Sequence, residues 1–554
     1  MDFSNELINL IKEWAPRMSS QDINNELKRA HGRIDYDPNL MQHQCNKGQL
    51  LGFIEAESLQ AIEENQQKSK EIQVYLGGIV KKWSQQCAKE KRINEDHLKY
   101  CSAVLLPYGS VLLGVADSKS DIDLICIAPE FIDRREQFFN GLFYLLSNED
   151  GMEQINKIES TSNPIIKMIY KGFHIDINFA QLNSDRVPEN IDENLDELRR
   201  NLLQSEDKSL YALNGRKNGI LISKSMPDHS QFVQALRIIK QWAKKRKVSS
   251  NIIGYLGGIS WAILMAKICQ LFPRVDVCQT VSLFFQIYSQ WNWKIPVVID
   301  ESDPEIETFK TLCWKRDEDK RNDKIMQIIT PAYPFFNTTF KVNKITFQTI
   351  FQEFQIGAQK LGDWNEVLRP FDFFDCFQYF VAISIVSKSS ENFHKWTGFC
   401  EAQLPKLLKL IGHNEAIYDN TSFELRITPD GEENLERDYA KSLTYFLGIK
   451  KLKPDAWPLF LRIPITQFAI ELNQRKLQSF KNEDEFNMKI YVANVTDIDQ
   501  LRGKLSPRMY DDSDSIVKKI KMNEEDKNGS AYLVKRISSI QDSGINQEVL
   551  NDMF

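Results

Sequence analysis

The chain has 554 residues, enough for two to four domains. A hydrophobic share of 42% can fill several cores, and a net charge of −6 excludes a uniformly basic nucleic-acid coat while leaving room for a local basic channel. Nine scattered cysteines form no C-x-x-C pair and none joins a histidine at zinc-finger spacing, which argues against a zinc module and fits a reducing compartment.

The opening residues, MDFSNELINLIKEW, are too acidic and polar for a signal peptide. Residues 1–70 read as short helical pieces, 6–14 and 50–69, with no assignable chemistry. Over 73–92, Val74, Leu76, Ile79, Val80 and Trp83 recur at helical spacing, which predicts a helix packed on the sheet that follows. Residues 103–107 and 122–129 are β-type runs, and 132–146 is an amphipathic helix. Residues 164–170 and 172–182 read as strands joined by a turn at Lys171-Gly172. In the second, Phe173, Ile175, Ile177 and Phe179 alternate with His174, Asp176 and Asn178, so Asp176 is expected on a polar face opposite the core.

Residues 183–226 are polar and read as a connection. Residues 231–247 form a helix with Phe232, Leu236, Ile239 and Ala243 on one side and Arg237, Lys240, Lys244 and Lys247 in a stripe on another. From His229 to Val275 there are eight Lys or Arg and no Asp or Glu, an asymmetry that favours a polyanionic partner. Residues 251–272 read as an apolar helix with Gly257-Gly258 at its start. The 17 apolar-rich residues 256–272 contain Lys267 and Gln270 and fall short of the roughly 20 needed to span a bilayer. After Pro370, 379–386, 422–428, 459–463 and 466–472 are strand candidates and 396–411 a helix, together a small α+β domain. The tail from Asp511 is charged and expected to be partly disordered.

The stretch 105–128 concentrates the chemistry. Gly109-Ser110 at the start of a helical turn offers N–H groups and a hydroxyl to phosphate oxygens. Asp121 and Asp123, at i and i+2 of a strand, point to one side. A D-x-D pair alone is a weak signal, since the chain has at least five, the others reading as solvated carboxylates. This pair differs in opening an apolar strand, and Asp176 supplies a third carboxylate from another strand. Three such oxygens suit Mg²⁺, which takes few carboxylates and completes its shell with substrate phosphates. Two ions about 3.5–4 Å apart can activate an attacking hydroxyl and stabilise a leaving oxygen. Lys167 and Lys240, each alone readable as a solvated lysine, could neutralise triphosphate charge.

Several runs then carry a family resemblance: Tyr108-Gly109-Ser110, Leu113-Gly114-Val115, Asp121-Ile122-Asp123, PIIKM at 164–168, IDINFA at 175–180, RIIKQWAKKRK at 237–247, NIIGYLGGISWA at 251–262 and ITPAYP at 329–334. In this order and spacing the chain resembles the eukaryotic nuclear poly(A) polymerases of the DNA polymerase β-like nucleotidyltransferase superfamily, most strongly over 73–357. The resemblance implies an α+β multidomain chain. Its parts are an N-terminal extension (1–45), a mixed-sheet nucleotidyltransferase catalytic domain (46–226), a helical middle domain (227–370), an RRM-like RNA-binding α+β domain (371–510) and a charged tail (511–554).

It also implies roles. Asp121, Asp123 and Asp176 match the catalytic metal-binding triad for two Mg²⁺ or Mn²⁺ ions. Tyr108, Gly109 and Ser110 match the phosphate-binding turn, Lys167 and Lys240 lysines near the nucleotide, Asn251 an asparagine at the nucleotide and primer end, and Gly258-Ile259 the segment against which adenine packs. Ser249 stands where the family has a nucleotide-contacting tyrosine. The chain also departs at Leu112 (usually basic), Asp117 (usually a small hydroxyl) and Tyr108 (usually phenylalanine). Arg237, Lys244 and Lys247 are the candidate RNA contacts. The implied activity is template-independent transfer of AMP from ATP to an RNA 3′ end, in a nuclear, monomeric protein working with the cleavage and polyadenylation machinery and without a membrane. Nucleotidyl transfer of another specificity, such as uridylyl transfer, and a non-catalytic RNA-binding paralogue are the alternatives.

Overall fold

The computed structural model describes residues 59–93, 102–117, 120–159, 163–202, 207–273, 275–293, 296–299, 325–332, 335–390, 393–413, 422–436, 438–453, 461–480 and 485–502, together with Leu50 and Gly52. The expected helix at 6–14, the N-terminal extension, the C-terminal tail and the D-x-D pairs at 35/37, 317/319 and 512/514 lie outside the described residues. The chain divides into two compact units. The first takes in Met1–Gln241, Gly258–Thr338 and Gly357–Val367, the second Trp242–Gly257, Thr339–Ile356 and Leu368–Phe554.

The first unit is built on a five-stranded mixed sheet of β1 (Val104–Pro107), β2 (Ile122–Ala128), β3 (Met152–Ile158), β4 (Ile165–Tyr170) and β5 (Phe173–Gln181), in the order β1-β2-β5-β4-β3. Only β2 and β5 run parallel; the other neighbours are antiparallel. The helix Leu59–Glu90 covers one face, with Leu76, Val80 and Trp83 buried against Leu124, Cys126, Met168 and Ile177. Each such side chain contributes about 1.5–3 kcal/mol when fully buried.

The second face differs from the sequence expectation. Residues 183–226 are not a simple connection: they form helices Ile191–Leu202 and Asp207–Lys224. Leu195, Leu198, Ala212 and Leu213 pack on Ile125, Ile127, Ala180 and Leu182, making a second core. Polar positions on the outer sides of both helices hid the apolar ones. Asp123, Asp176 and Asn178 therefore share a face with a core and sit at its end, rather than on a solvated face. The 132–146 helix is a π-helical stretch Arg134–Leu142 followed by Phe143–Ser147. The apolar helix begins only at Gly258 and runs to Leu271, with residues 251–254 as a turn. Among the described residues no helix is long and apolar enough to cross a membrane.

The second unit carries an antiparallel sheet of β6 (Tyr379–Ser387), β7 (Phe423–Ile427), β8 (Glu432–Glu433), β9 (Lys441–Lys451) and β10 (Phe486–Asn494). Its order is β10-β6-β9-β7, with β8 pairing β9. With helices Phe393–Gly412 after β6 and Arg462–Ser479 after β9, this is the βαββαβ arrangement of ferredoxin-like and RRM folds. Residues 466–472 are helix, not strand. Ile465, Phe468, Ala469 and Leu472 are all buried at i, i+3, i+4, i+7, a helical period. Of the candidate 459–463, Leu459 and Phe460 lie outside the described residues and the rest enters the same helix. One sheet face meets the helices, as the Tyr445 hydroxyl bonded to Glu401 shows. The other is the face that an RRM leaves open for base stacking. Here Phe371, Phe373, Phe374, Phe377 and Ile498 cover it, packed on Phe380, Ala382, Phe446 and Ala493.

A buried charge cluster ties this unit together. Glu353, on the helix Lys344–Gln359, accepts from Arg246 Nε at 2.6 Å and from Arg426 Nη1 at 2.7 Å. Both guanidinium groups lie against the ring of Phe371. Arg246, one of the eight basic residues between His229 and Val275, thus has a structural partner, and Lys267 from the same set is buried.

Candidate active site

Strand register assembles the site in the first unit. Asp123 on β2 is paired with Asp176 on β5, Asp176 with Lys167 on β4, and Lys167 with Asn156 on β3. On the other side the Tyr108 N–H donates to the Asp123 carbonyl at 3.0 Å. One transverse row of the sheet thus reads Tyr108, Asp123, Asp176, Lys167, Asn156. In-register positions across a sheet bring side chains on one face close together.

Immediately after Tyr108 the chain forms a single helical turn, Gly109–Leu112, with no side-chain cap. Gly109 has φ of +61°, and a β-carbon there would meet Asp123 Oδ2 at 2.6 Å. Glycine is needed twice, for the positive φ and for the approach to the carboxylate. Tyr108 is fixed from several sides. Its hydroxyl accepts from Asn178 Nδ2 at 2.8 Å, and its ring lies where a β-carbon on Gly215 would touch it at 3.2 Å. Arg216 donates to the Pro107 carbonyl and forms a two-point ion pair with Asp192.

Electrostatics mark the row as strained toward a cation. Burial, then the Asp176 and Asp121 carboxylates, push the Asp123 carboxyl up to about 7. Burial also raises that of Asp176, opposed chiefly by the nearby Lys167 ammonium. Lys167 Nζ stands 3.5 Å from Asp176 Oδ1, an ion pair but longer than the 2.7–2.9 Å of a good charge-assisted hydrogen bond. That Oδ1 is buried and has no hydrogen-bond partner. Asp121, just before β2, is exposed. Among the described residues no three His, Cys, Asp or Glu side chains form a ready-made metal cage. Two carboxylates in register, one short of a partner, with a third at the rim still fit a hard divalent cation, which takes few protein oxygens and adds phosphate and water.

The loop from Gly114 to Asp121 is anchored by the helix His229–Lys245. Arg237 Nη2 donates to the Gly114 carbonyl at 2.8 Å and Lys240 Nζ to the Val115 carbonyl at 3.1 Å. Burial lowers the pKa of the Arg237 guanidinium, and Asp117 is the charge that opposes this. Asp117 also accepts from the Ser120 hydroxyl at 2.8 Å. The charge gained at Asp117 therefore has a place in the loop, and Arg237 has a structural use beside any nucleic-acid contact. Gly258 and Ile259 begin the helix that packs beside the Gly109–Leu112 turn, with open space around Gly258. Ser249, Asn251, Lys244 and Lys247 belong to the second unit. There Ser249 bridges to Leu256, Asn251 packs against Gly257, Lys247 pairs with Asp430 at 3.6 Å and Lys244 is exposed. Asn178, Gly215 and Arg216 were missed from the sequence. Only Asn178 had a signal there, a polar residue two positions from Asp176 and so on the same side of the strand.

The profile of the poly(A) polymerase nucleotidyltransferase domain matches residues 37–219, and that of the poly(A) polymerase central domain matches residues 231–369. The chain belongs to the poly(A) polymerase family. It is 31% identical to poly(A) polymerase of Dictyostelium discoideum over 422 residues, 70% of this chain and 51% of that one. It is 29% identical to nuclear poly(A) polymerase 4 of Arabidopsis thaliana over 367 residues, 65% of this chain and 49% of that one, and 30% identical to nuclear poly(A) polymerase 1 over 393 residues, 69% and 53%. The chain thus spans about half the length of the curated relatives it matches. A solved structure of Cid1 with its short product ApU is 14% identical with a TM-score of 0.38, covering 56% of this chain and 93% of that one, too loose a likeness to carry weight. The two poly(A) polymerase profiles take in every residue of the transverse row and its loop anchors.

Proposed function

We propose that the chain transfers AMP from ATP to RNA 3′ ends without a template, with Asp121, Asp123 and Asp176 holding two divalent ions, Mg²⁺ or Mn²⁺. The observation that carries this reading is the register of Asp123, Asp176 and Lys167 beside a glycine turn fitted to Asp123, in a chain of the poly(A) polymerase family. When bound, the ions supply the charge that makes an RNA hydroxyl acidic and offsets that of a triphosphate.

The protein's own part is positioning and electrostatics. Asp123 and Asp176, held in place by strand pairing, would hold the cations with Asp121 at the rim. The Gly109-Ser110 turn presents N–H groups and a hydroxyl to phosphate, and Tyr108 fixes where that turn begins. Lys167 and Lys240 lend positive charge on either side of the acids. Gly258 and Ile259, at the start of the helix beside that turn, offer open backbone to the adenine. In the second unit, Lys244 and Lys247 offer positive charge to RNA phosphates. Relatives named nuclear poly(A) polymerases support a nuclear site of action. The proposal extends to the cleavage and polyadenylation machinery as the recruiting partner and to a monomer as the working form.

The test is primer extension of an RNA oligonucleotide with each of the four NTPs, in Mg²⁺ and in Mn²⁺. ATP alone should support a growing tail, and Asp176→Ala should abolish it while RNA binding persists. Preference for UTP would move the chain to a different specificity. No extension with any NTP would make it a binding paralogue.

A further inference from the structure

Lys167 stands beside Asp176, one of the carboxylates proposed to hold a cation. Its Nζ is 3.5 Å from Asp176 Oδ1, and that oxygen is buried with no hydrogen-bond partner. The pairing is built into the sheet, since Lys167 and Asp176 are directly opposite each other on antiparallel β4 and β5. Yet the lysine is loosely held: its side chain is 44% exposed, against 18% for Asp176, and 3.5 Å is a long contact. Asp123, in register on the far side of Asp176, has no comparably placed lysine on its own strand neighbour β1, where Pro107 and Tyr108 stand.

We infer that Lys167 is an exchangeable counter-cation. In the metal-free protein its ammonium neutralises Asp176; divalent cation binding displaces it, and the released ammonium turns to the phosphates of the nucleotide. Two positive charges that share one carboxylate repel each other at close range, and water around the half-exposed lysine makes that repulsion modest. A flexible four-carbon stem lets the ammonium move while β4 stays paired. The exchange makes metal and nucleotide binding mutually supportive, because the metal frees the group that the triphosphate uses, and such coupling is reciprocal. The inference rests on the metal-binding reading of Asp123 and Asp176.

The first test uses the wild-type chain. Acetylation of lysines by a small reagent, read by mass spectrometry, reports how accessible each ammonium is. Lys167 should label slowly in chelator, faster in Mg²⁺ alone, and slowly again in Mg²⁺ with a non-hydrolysable ATP analogue. Labelling unchanged by Mg²⁺ overturns the exchange. The second uses Mn²⁺ binding without nucleotide, followed by electron paramagnetic resonance. Lys167→Met should bind Mn²⁺ about three- to tenfold more tightly than wild type, and Mn²⁺ should improve ATP-analogue affinity less in the variant. Equal or weaker Mn²⁺ binding by Lys167→Met overturns the proposal. Failure of the adenylyl-transfer reading has a different signature: Mn²⁺ binds to wild type and Lys167 responds, but ATP extends no primer.

Discussion

Gly109 and Asp123 are fitted to each other, with a Cα–carboxylate approach that leaves 2.6 Å between Asp123 Oδ2 and any β-carbon at position 109. The contact joins the phosphate turn to the acid strand. Gly109→Ala also forces a side chain into φ of +61°, at a cost of about 1–2 kcal/mol. The variant should keep its overall fold by circular dichroism and lose at least about tenfold in kcat/KM for ATP, since the carboxylate must move. Wild-type kinetics in Gly109→Ala would show that turn and acid are not coupled.

Removing the Asp123 carboxylate should have opposite effects on activity and on metal-free stability. Burial and neighbouring acids raise its folded pKa to about 7 from an ordinary 3.8. A raised folded pKa contributes stability that is fully present below the unfolded value and is lost as pH rises through about 7. In chelator, the melting temperature of the wild type should therefore fall between about pH 4 and about pH 7 and level off above, with Mg²⁺ restoring part of the loss at the higher pH. Asp123→Asn should weaken that fall and melt higher than wild type at the higher pH, yet be inactive. A variant that melts lower there would contradict this account of the site.

The Tyr108 hydroxyl connects the turn to β5 through Asn178. Tyr108→Phe keeps the ring packed over Gly215 and removes one hydrogen bond to a buried amide, a loss of about 1–3 kcal/mol in stability. Asn178→Ala should cost a similar amount, and the double variant less than the sum. Additive effects in urea titrations would mean that the two groups act separately.

Arg237 was a candidate RNA contact, and its bond to the Gly114 carbonyl predicts a different phenotype. Arg237→Met should raise the KM for ATP by loosening the loop before Asp121. The slope of log RNA affinity against log salt should stay as in wild type, whereas loss of a phosphate contact would lower it by about one. Lys244→Ala, on an exposed side chain of the same helix, is the comparison in which the slope should fall.

Glu353 sits buried between Arg246 and Arg426. Glu353→Gln leaves two guanidinium groups without their carboxylate, and the second unit should lose about 3–5 kcal/mol. Faster hydrogen exchange across the helix Lys344–Gln359 and β7 would report it. Exchange rates equal to those of wild type would mean that Phe371 and the backbone carbonyls suffice to hold both arginines.

Much of the site was legible in the chain because its parts are local. The glycine turn, the D-x-D pair opening an apolar strand and the alternation around Asp176 are each set by neighbours a few residues away. Strands β2, β4 and β5, the helix before β1, the helical stretch after β2, and β6, its following helix and β7 in the C-terminal α+β part follow from hydrophobic period, whereas the RRM-like form of that part came only with the family resemblance. What failed was where period misleads. The polar stretch 183–226 hides two helices whose apolar positions are spaced around charged ones, and residues 466–472 mix a strand-like composition with a helical period.

The sequence by itself determined which residues could do this chemistry, because type and short-range spacing decide what a strand end or a turn can present. Only the tertiary structure decided that Asp123, Asp176 and Lys167 form one row, that Tyr108 is held by Asn178, and that Arg237 serves the Gly114–Asp121 loop. Register between strands far apart in the chain is fixed by packing on both sheet faces, and no local pattern encodes it. The same holds for the aromatic cover on the C-terminal sheet: Phe371, Phe373, Phe374 and Phe377 become a cover only because Phe380, Ala382 and Phe446 of β6 and β9 give them a surface to bury.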